Sequence, residues 1–532
     1  MATKGLGKTS GYSAEGLHGL NEECGIFGIW QQADAAQQTY YGLHALQHRG
    51  QEGAGIVVNQ AGQFKRERGL GLLSDVFSDP QRMAALQGTS AIGHVRYATA
   101  GSHGLENIQP FMITVGDDQM PVALAHNGNL TNALSLRAAL EAQGTSFNTS
   151  SDSEILLHLL KSALQTNFTD KLKASLNQLR GGFAYILMTS HGLYAALDPH
   201  GFRPFVIGQM PTGAYVVTSE TAALDVVGAK FIRDVQPGEL ITINNDGLLI
   251  DHFTDKTTLN IDSMEYIYFA RPDSKIYGVS VYQARKKMGQ ALAQEQPVPR
   301  ADMVVGVPNS SLLAAAGYAQ AAGLPNEMGL VKNQYIARTF IEPTQDKRER
   351  AVRMKLSAVR EVVAGKKIVL VDDSIVRGTT SMYIVRMLKA AGAKEVHVRI
   401  ASPILKFPAF YGIDMQTTAE LLGANYSLEQ MCHKIGADSL GFLSVEALIK
   451  AIDLPFTGNG SGLTTAYFDG HYPSPMYDYQ PELAQALAEG KVDFAPEPSQ
   501  TYQPSQVISL KNEALMFSNH KTMSNKLKEA QS

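Results

Sequence analysis

The stretch that most constrains this chain is Lys366–Ser381, K-K-I-V-L-V-D-D-S-I-V-R-G-T-T-S. Ile368–Val371 is a short apolar, β-branched run, the pattern of a strand buried on both faces of a parallel sheet. Asp372 and Asp373 stand at its carboxyl end. A turn over Ser374–Thr380 carries hydroxyls, Arg377 and Gly378, and a helix is expected over Ser381–Ala391. Open α/β sheets hold their ligands outside the carboxyl ends of the strands. A Gly/Ser/Thr turn entering a helix offers backbone N–H groups to an anion. The two carboxylates face the same crevice and suit vicinal hydroxyls or, through water, Mg2+. A phosphate grip beside a diol grip describes a phosphorylated ribose. A solvated Asp-Asp turn is the plain reading of an isolated acid pair. The order of strand, acid pair, hydroxyl turn and helix argues against it here.

At 532 residues the chain exceeds one ordinary domain and suggests roughly two to four. A hydrophobic content of 44% with 18% charged residues allows a large core. The net charge of −4 argues against general nucleic-acid binding. There is no run of about 18 apolar residues to span a membrane and no apolar secretory region at the N-terminus. Cys24 and Cys432 are the only cysteines. They exclude a disulfide framework and a four-thiolate metal cluster, and they fit a reducing, cytoplasmic setting.

Residues 1–23 lack an apolar pattern and read as a disordered or removed leader. From Cys24 the pattern becomes a strand. A cysteine nucleophile needs a nearby base. The α-amino group of the same residue can serve if that residue is first in the chain. A small buried core cysteine is the alternative. Further on, Tyr40–His48 reads as a helix and Arg49–Ile56 as a Gly-rich turn into a strand. Arg96 at a strand end suits a substrate carboxylate, or else a surface ion pair. Asn127 and Gly128, at an expected tight turn after the strand Val122–Ala125, suit an oxyanion hole or simply a turn. Ser151–Glu154 is expected to cap a helix over Ile155–Lys161, with Asp152 also placed to hold an ammonium group.

Cys24, Arg49-Gly50, Arg96, Asn127-Gly128 and Asp152, in that order, resemble the class II glutamine amidotransferase domain from Cys24 to about Ile250. The resemblance implies an N-terminal-nucleophile αββα sandwich. In it Cys24 attacks the glutamine amide, Asn127 and Gly128 hold the oxyanion, and Arg96 and Asp152 bind the amino-acid end. The Lys366–Ser381 string resembles the binding loop of type I phosphoribosyltransferases, a doubly wound parallel-sheet fold. That likeness assigns 5-phosphoribosyl 1-pyrophosphate (PRPP) to Asp372, Asp373, Ser374, Arg377, Gly378, Thr379 and Thr380, with Lys332 as a further contact. It also implies a pyrophosphate loop at Pro308–Ser311, and one Mg2+ per subunit near Ser310, Asp372 and Asp373.

Together the two halves resemble the glutamine-dependent PRPP amidotransferases over roughly Gly19 to Pro473. That resemblance implies amination of PRPP to 5-phosphoribosylamine, opening purine synthesis. Ammonia would pass internally between the domains. Purine nucleotides would inhibit at the PRPP pocket, and a homo-oligomer, dimer or tetramer, is expected. The expected division is a leader over 1–23, the amidotransferase over 24–258, the transferase over 259–480, and a helix and flexible tail over 481–532. The propeptide-bearing branch usually carries a four-iron cluster. Its four cysteine positions read here as Asp262, Ala409, Thr464 and Tyr467, so no iron–sulfur centre is expected. Asn309 stands where the pyrophosphate loop often has Asp. The segment Glu342–Lys355, dense in Lys and Arg, reads as a cationic lid or a solvated helix face. Cys432 is expected to be an inert core residue in a helix over Leu428–Ile435.

Two rival readings remain at this stage. A glutamine-dependent enzyme with another acceptor would lack the D-D-S-I-V-R-G-T-T string. A non-catalytic nucleotide-binding regulator would have no use for the Cys24 constellation.

Overall fold

The computed structural model describes residues 24–97, 104–116, 118–333, 356–412, 417–456, 458 and 460–495. The leader, the basic segment and the far C-terminal tail lie outside these residues. By contacts, the described residues form two units. One holds residues 24–285, 406–412 with 417–419, and 445 onward. The other holds 286–405 and 420–444.

The first unit is built on two antiparallel sheets. The seven-stranded sheet runs in the order Lys230–Asp234, Val206–Gln209, Tyr215–Thr218, Gly25–Trp30, Ser90–Arg96, Gly53–Gln60, Gln63–Leu70. The six-stranded sheet runs Gly247–His252, Glu239–Asn244, Leu193–Leu197, Gly181–Thr189, Met120–Leu130, Phe111–Val115. Strand side chains alternate between faces. Ile26, Val57 and Ile92 therefore meet Ala123, Ala125, Ala184 and Ile186 in a core between the sheets. The opposite faces carry Phe27, Ile29 and Ile56 under the helix Ala35–Ala45, and Leu124, Phe183 and Leu187 under the helices Glu154–Ser162 and Phe168–Leu176. This is the expected αββα sandwich.

Three local expectations are corrected. Asn127-Gly128 is not a tight turn: the strand runs through it to Leu130, paired along its length with Gly181–Thr189. Cross-strand pairing outweighs the turn preference of N-G. The helix expected over Tyr40–His48 is Ala35–Ala45, followed by a 3-10 turn at Gln47–Arg49. The helix beginning at Glu154 has Ser153 at its N-cap without a side-chain capping bond. Glu154 itself reaches back to accept from the N–H groups of Asn148 (2.9 Å) and Thr149 (2.8 Å).

Burial pushes the Glu154 carboxyl up, but His158 and the donors of Asn148 and Thr149 outweigh it and lower it to about 2. A depressed carboxyl stabilises the fold above its unfolded value, near 4.5, and that contribution fades as pH falls toward 2. Glu154→Gln should therefore melt several degrees below the parent above about pH 5. The gap should close as pH falls from about 4.5 toward 2, as followed by thermal melts across pH.

The second unit holds a four-stranded parallel sheet in the order Met303–Gly306, Lys367–Asp372, Glu395–Ile400, Ser439–Phe442. Ile368 and Leu370 join its main core with Val305, Ile384 and Val398, while Val369 and Val371 are also fully buried. The continuous apolar run is thus covered on both faces. Cys432 is half-buried in the helix Leu428–Ile435 against that core.

The linear order of the chain does not follow these units. Residues 261–285, 406–412 and 463–495 pack with the first one. There Ile261–Asp262 pairs with Leu463–Thr464 in a short parallel ladder. Tyr467 donates its hydroxyl to Asp262 Oδ1 (2.6 Å), Arg203 donates to Asp262 Oδ2 (3.1 Å), and Ser263 donates to the Thr464 carbonyl (2.8 Å). Three of the four positions singled out against cysteine are therefore tied by hydrogen bonds, and the fourth, Ala409, is buried.

Candidate active sites

Cys24 directly precedes the strand Gly25–Trp30, and its side chain is buried. Its Sγ lies 3.3 Å from the Tyr97 carbonyl and accepts from the Tyr97 N–H at 3.4 Å. Burial pushes the thiol up to about 11, although Arg96 pulls the other way. A thiol so placed needs a proton acceptor at close range to react near neutrality. Gly50 makes the close packing beside it possible. A Cβ there would meet the backbone of Val95 and Arg96 at 2.6–2.7 Å.

Asn127 is buried, and its Nδ2 has no hydrogen-bond partner among the described residues. A buried amide without an acceptor costs about 1–3 kcal/mol, so a ligand oxygen is its natural complement. Gly128 follows at φ +147°, where a Cβ would lie 2.1 Å from the Gly182 carbonyl oxygen. Only glycine fits that approach. Arg96 ends its strand buried beside Glu52, with an N–O separation of 3.2 Å. Asp152 Oδ2 accepts from the N–H of Leu130 at 2.9 Å, anchoring the end of the Asn127 strand. The sequence did not flag Glu52 or this anchoring role.

Arg49 is the largest surprise. It is 1% exposed and donates Nε–H to the Cys24 carbonyl at 3.1 Å. Its guanidinium lies between Glu220 (2.7 Å) and Glu265 (2.6 and 2.9 Å). Glu220 also accepts from the Ser274 hydroxyl and the Arg271 N–H. Burial opposes ionisation of Glu220, but His48 and Arg49 hold it well below the usual carboxylate range.

In the second unit, Asp372 and Asp373 sit buried at the carboxyl end of a central strand. From the Pro308–Ser311 loop, the hydroxyl that reaches them belongs to Ser311, which donates to Asp372 Oδ1 at 2.8 Å. Ser310, expected near the metal, is half-buried beside it. The Pro308–Asn309 peptide is cis. Burial and the neighbouring Asp373 push Asp372 well above the usual carboxylate range, despite the Ser311 hydrogen bond. Ser374 donates to Asp373 Oδ1 at 2.7 Å. Gly378, at φ +77°, is the N-cap of a helix that begins at Thr379 rather than Ser381. Thr379 and Thr380 therefore lie in the first helical turn, where N–H groups have no intrahelical acceptor. Arg377 is ion-paired with Glu420 at 2.8 Å. Lys332 is exposed on a two-stranded ribbon with Leu356–Ala358, and no hydrogen bond joins it to the acid pair among the described residues.

Among the described residues, no cluster of three or more His, Cys, Asp or Glu could hold a metal ion. Two adjacent carboxylates, one with its proton affinity raised by the other, still suit a hard cation whose other ligands come from substrate and water. No described helix is long and apolar enough to cross a membrane.

A sandwich with a cysteine at the head of its central strand, on a chain that also carries a parallel-sheet acid pair, defines a glutamine amidotransferase joined to a phosphoribosyltransferase. Family comparison agrees. The glutamine amidotransferase domain matches residues 94–226 and the phosphoribosyl transferase domain residues 284–406. The amidophosphoribosyltransferase of Staphylococcus aureus (strain Mu50) is 57% identical over 477 residues, 90% of this chain and 96% of that protein. That of Bacillus subtilis (strain 168) is 53% identical over 461 residues, 87% of this chain and 96% of that one. A solved B. subtilis glutamine PRPP amidotransferase, complexed with ADP and GMP, has a TM-score of 0.81 at 52% identity, covering 85% of this chain and 98% of that one. The chain belongs to the amidophosphoribosyltransferase family. Its activity is the glutamine-dependent amination of PRPP, consistent with the first step of purine biosynthesis.

Proposed function

We propose that the two sites divide the reaction as follows. With the leader removed, the α-amino group of Cys24 takes the thiol proton, and Sγ attacks the glutamine amide carbon. Asn127 Nδ2 and the Gly128 N–H receive the oxyanion. Arg96 holds the α-carboxylate and Asp152 the α-ammonium group. Collapse expels ammonia, which carries the proton away, and water then hydrolyses the thioester to glutamate. The observation that carries this reading is the buried, unpartnered Asn127 amide. Asn127→Ala should lower glutamine-dependent turnover by about 10²–10³-fold, read as glutamate release.

In the second half, Asp372 and Asp373 take the ribose hydroxyls of PRPP. The turn from Ser374 to Thr380 takes its 5-phosphate, and ammonia displaces pyrophosphate at C1 with inversion. Ser311, rather than Ser310, holds the acid pair in register. Asp372 and Asp373 would hold Mg2+, which supplies charge neutralisation at the leaving pyrophosphate. Arg377 would exchange Glu420 for phosphate, and Lys332 remains a candidate contact. Linearly, 24–258 supplies the amidotransferase fold and 259–480 most of the transferase. The four substituted cysteine positions support a chain without an iron–sulfur cluster. We also expect purine-nucleotide inhibition at the PRPP site, a homo-oligomer and a cytoplasmic location. Pyrophosphate release from PRPP and Mg2+, with glutamine and separately with ammonia, tests the division. Release with neither would overturn it.

A further inference from the structure

We propose that Glu265 is a positioning residue for the glutamine half-reaction, acting through Arg49 on the backbone carbonyl of Cys24. The inference rests on Cys24 being the nucleophile. Glu265 opens a single π-helical turn, Glu265–Phe269, and is fully buried. It lies outside the stretch 94–226 that matches the amidotransferase domain. Its carboxylate takes Arg49 Nη1 and Nη2 together, at 2.9 and 2.6 Å. Such a fork fixes the guanidinium plane as well as its position. The guanidinium then presents Nε–H to the Cys24 carbonyl at 3.1 Å.

The carbonyl matters because of where Cys24 sits. The pairing with Ser90–Arg96 begins at Gly25, so the ladder register does not include Cys24 itself. As the first residue of a processed chain, Cys24 would have no upstream backbone to hold it. Tilting of the Cys24–Gly25 peptide plane would displace Cα, and with it both Sγ and the α-amino group, relative to Asn127. A hydrogen bond to the carbonyl, from an arginine locked between two carboxylates, removes that freedom. Reactions of this kind lose about 10²-fold when reacting atoms are misplaced by about 1 Å.

A purely structural ion pair would make a different prediction, so the test separates the two. The full-length processed enzyme is assayed as Glu265→Gln, with Cys24→Ala in parallel. Glutamine keeps the shape but loses the charge and the bidentate acceptor. The expected result is a fall of about 30-fold in kcat for glutamine hydrolysis. The glutamine KM should stay within about three-fold, because Arg96 and Asp152 hold the substrate, and ammonia-dependent kcat within about two-fold. A change in glutamine kcat below about three-fold overturns the proposal, as does an equal loss with ammonia and glutamine.

If Glu265→Gln does not fold, Glu265→Asp decides. It keeps the charge and shortens the reach by one methylene, so the same split should appear at about five-fold. Its absence overturns the proposal. Full glutamine turnover in Cys24→Ala would sink the nucleophile reading itself. An inactive Cys24→Ala beside a fully active Glu265→Gln would sink only the role of Glu265.

Discussion

Replacing Cys24 with alanine should lower glutamine-dependent pyrophosphate release by at least about 10⁴-fold, while ammonia-dependent release stays within about two-fold. The side chain removed is the only thiol in its unit, since Cys432 belongs to the other one. Alanine fits the space, and the Arg49 hydrogen bond to the residue-24 carbonyl does not depend on the side chain. The fold should therefore persist. What disappears is the covalent step, and an oxyanion hole without a nucleophile recovers little of it. Parallel assays with glutamine and ammonium chloride on one preparation make the comparison. Survival of glutamine-dependent turnover would remove Cys24 from the mechanism.

The second large effect is expected in the other unit. Asp372→Asn should lower pyrophosphate release by about 10³-fold with either nitrogen source, roughly 4 kcal/mol of transition-state stabilisation. The substitution removes one of two buried carboxylates and leaves an amide against the Ser311 hydroxyl. Asparagine preserves volume and can still accept from Ser311, so lost packing cannot account for a deficit of that size. Glutamine hydrolysis measured separately should survive, because Cys24 and Asn127 belong to the other unit. A variant that retains ammonia-dependent turnover would show that the acid pair is structural.

These two residues were legible in the sequence for different reasons. Asp372 lies in a string whose chemistry is local: a buried strand, its carboxyl end, a turn and a helix start are contiguous, and the structure keeps that order. Cys24 was legible only through company, since a lone cysteine reads more readily as core. Asn127 was found as a residue but misplaced as a turn, because its pairing with Gly181–Thr189 is set by a strand some sixty residues away. Ser311 lay inside the expected pyrophosphate loop, but its neighbour Ser310 was preferred, while Glu52, Glu220 and Glu265 were not singled out by any local signal. Arg49 and Glu265 are 216 residues apart, and nothing in either neighbourhood announces the other. Arg49 itself stood in a recognisable motif, but its carbonyl clamp on Cys24 exists only once strand, turn and distant helix have assembled.

The amide of Asn129, two residues beyond Asn127, donates to the carbonyl of Phe410 at 2.8 Å across 281 positions of chain. Ribosomes add about 5–20 residues per second, so roughly 15–60 s separate the synthesis of these two partners. During that interval the nascent sandwich carries an exposed seam where Phe410 and Tyr411 will later lie. The ring of Phe202, 5.1 Å from that of His200, lacks until then the stacked ring of Tyr411, 3.9 Å away in the finished protein. The amidotransferase half, although made first, is therefore the half that finishes folding late. A newly made chain depends on remaining soluble with that aromatic seam open.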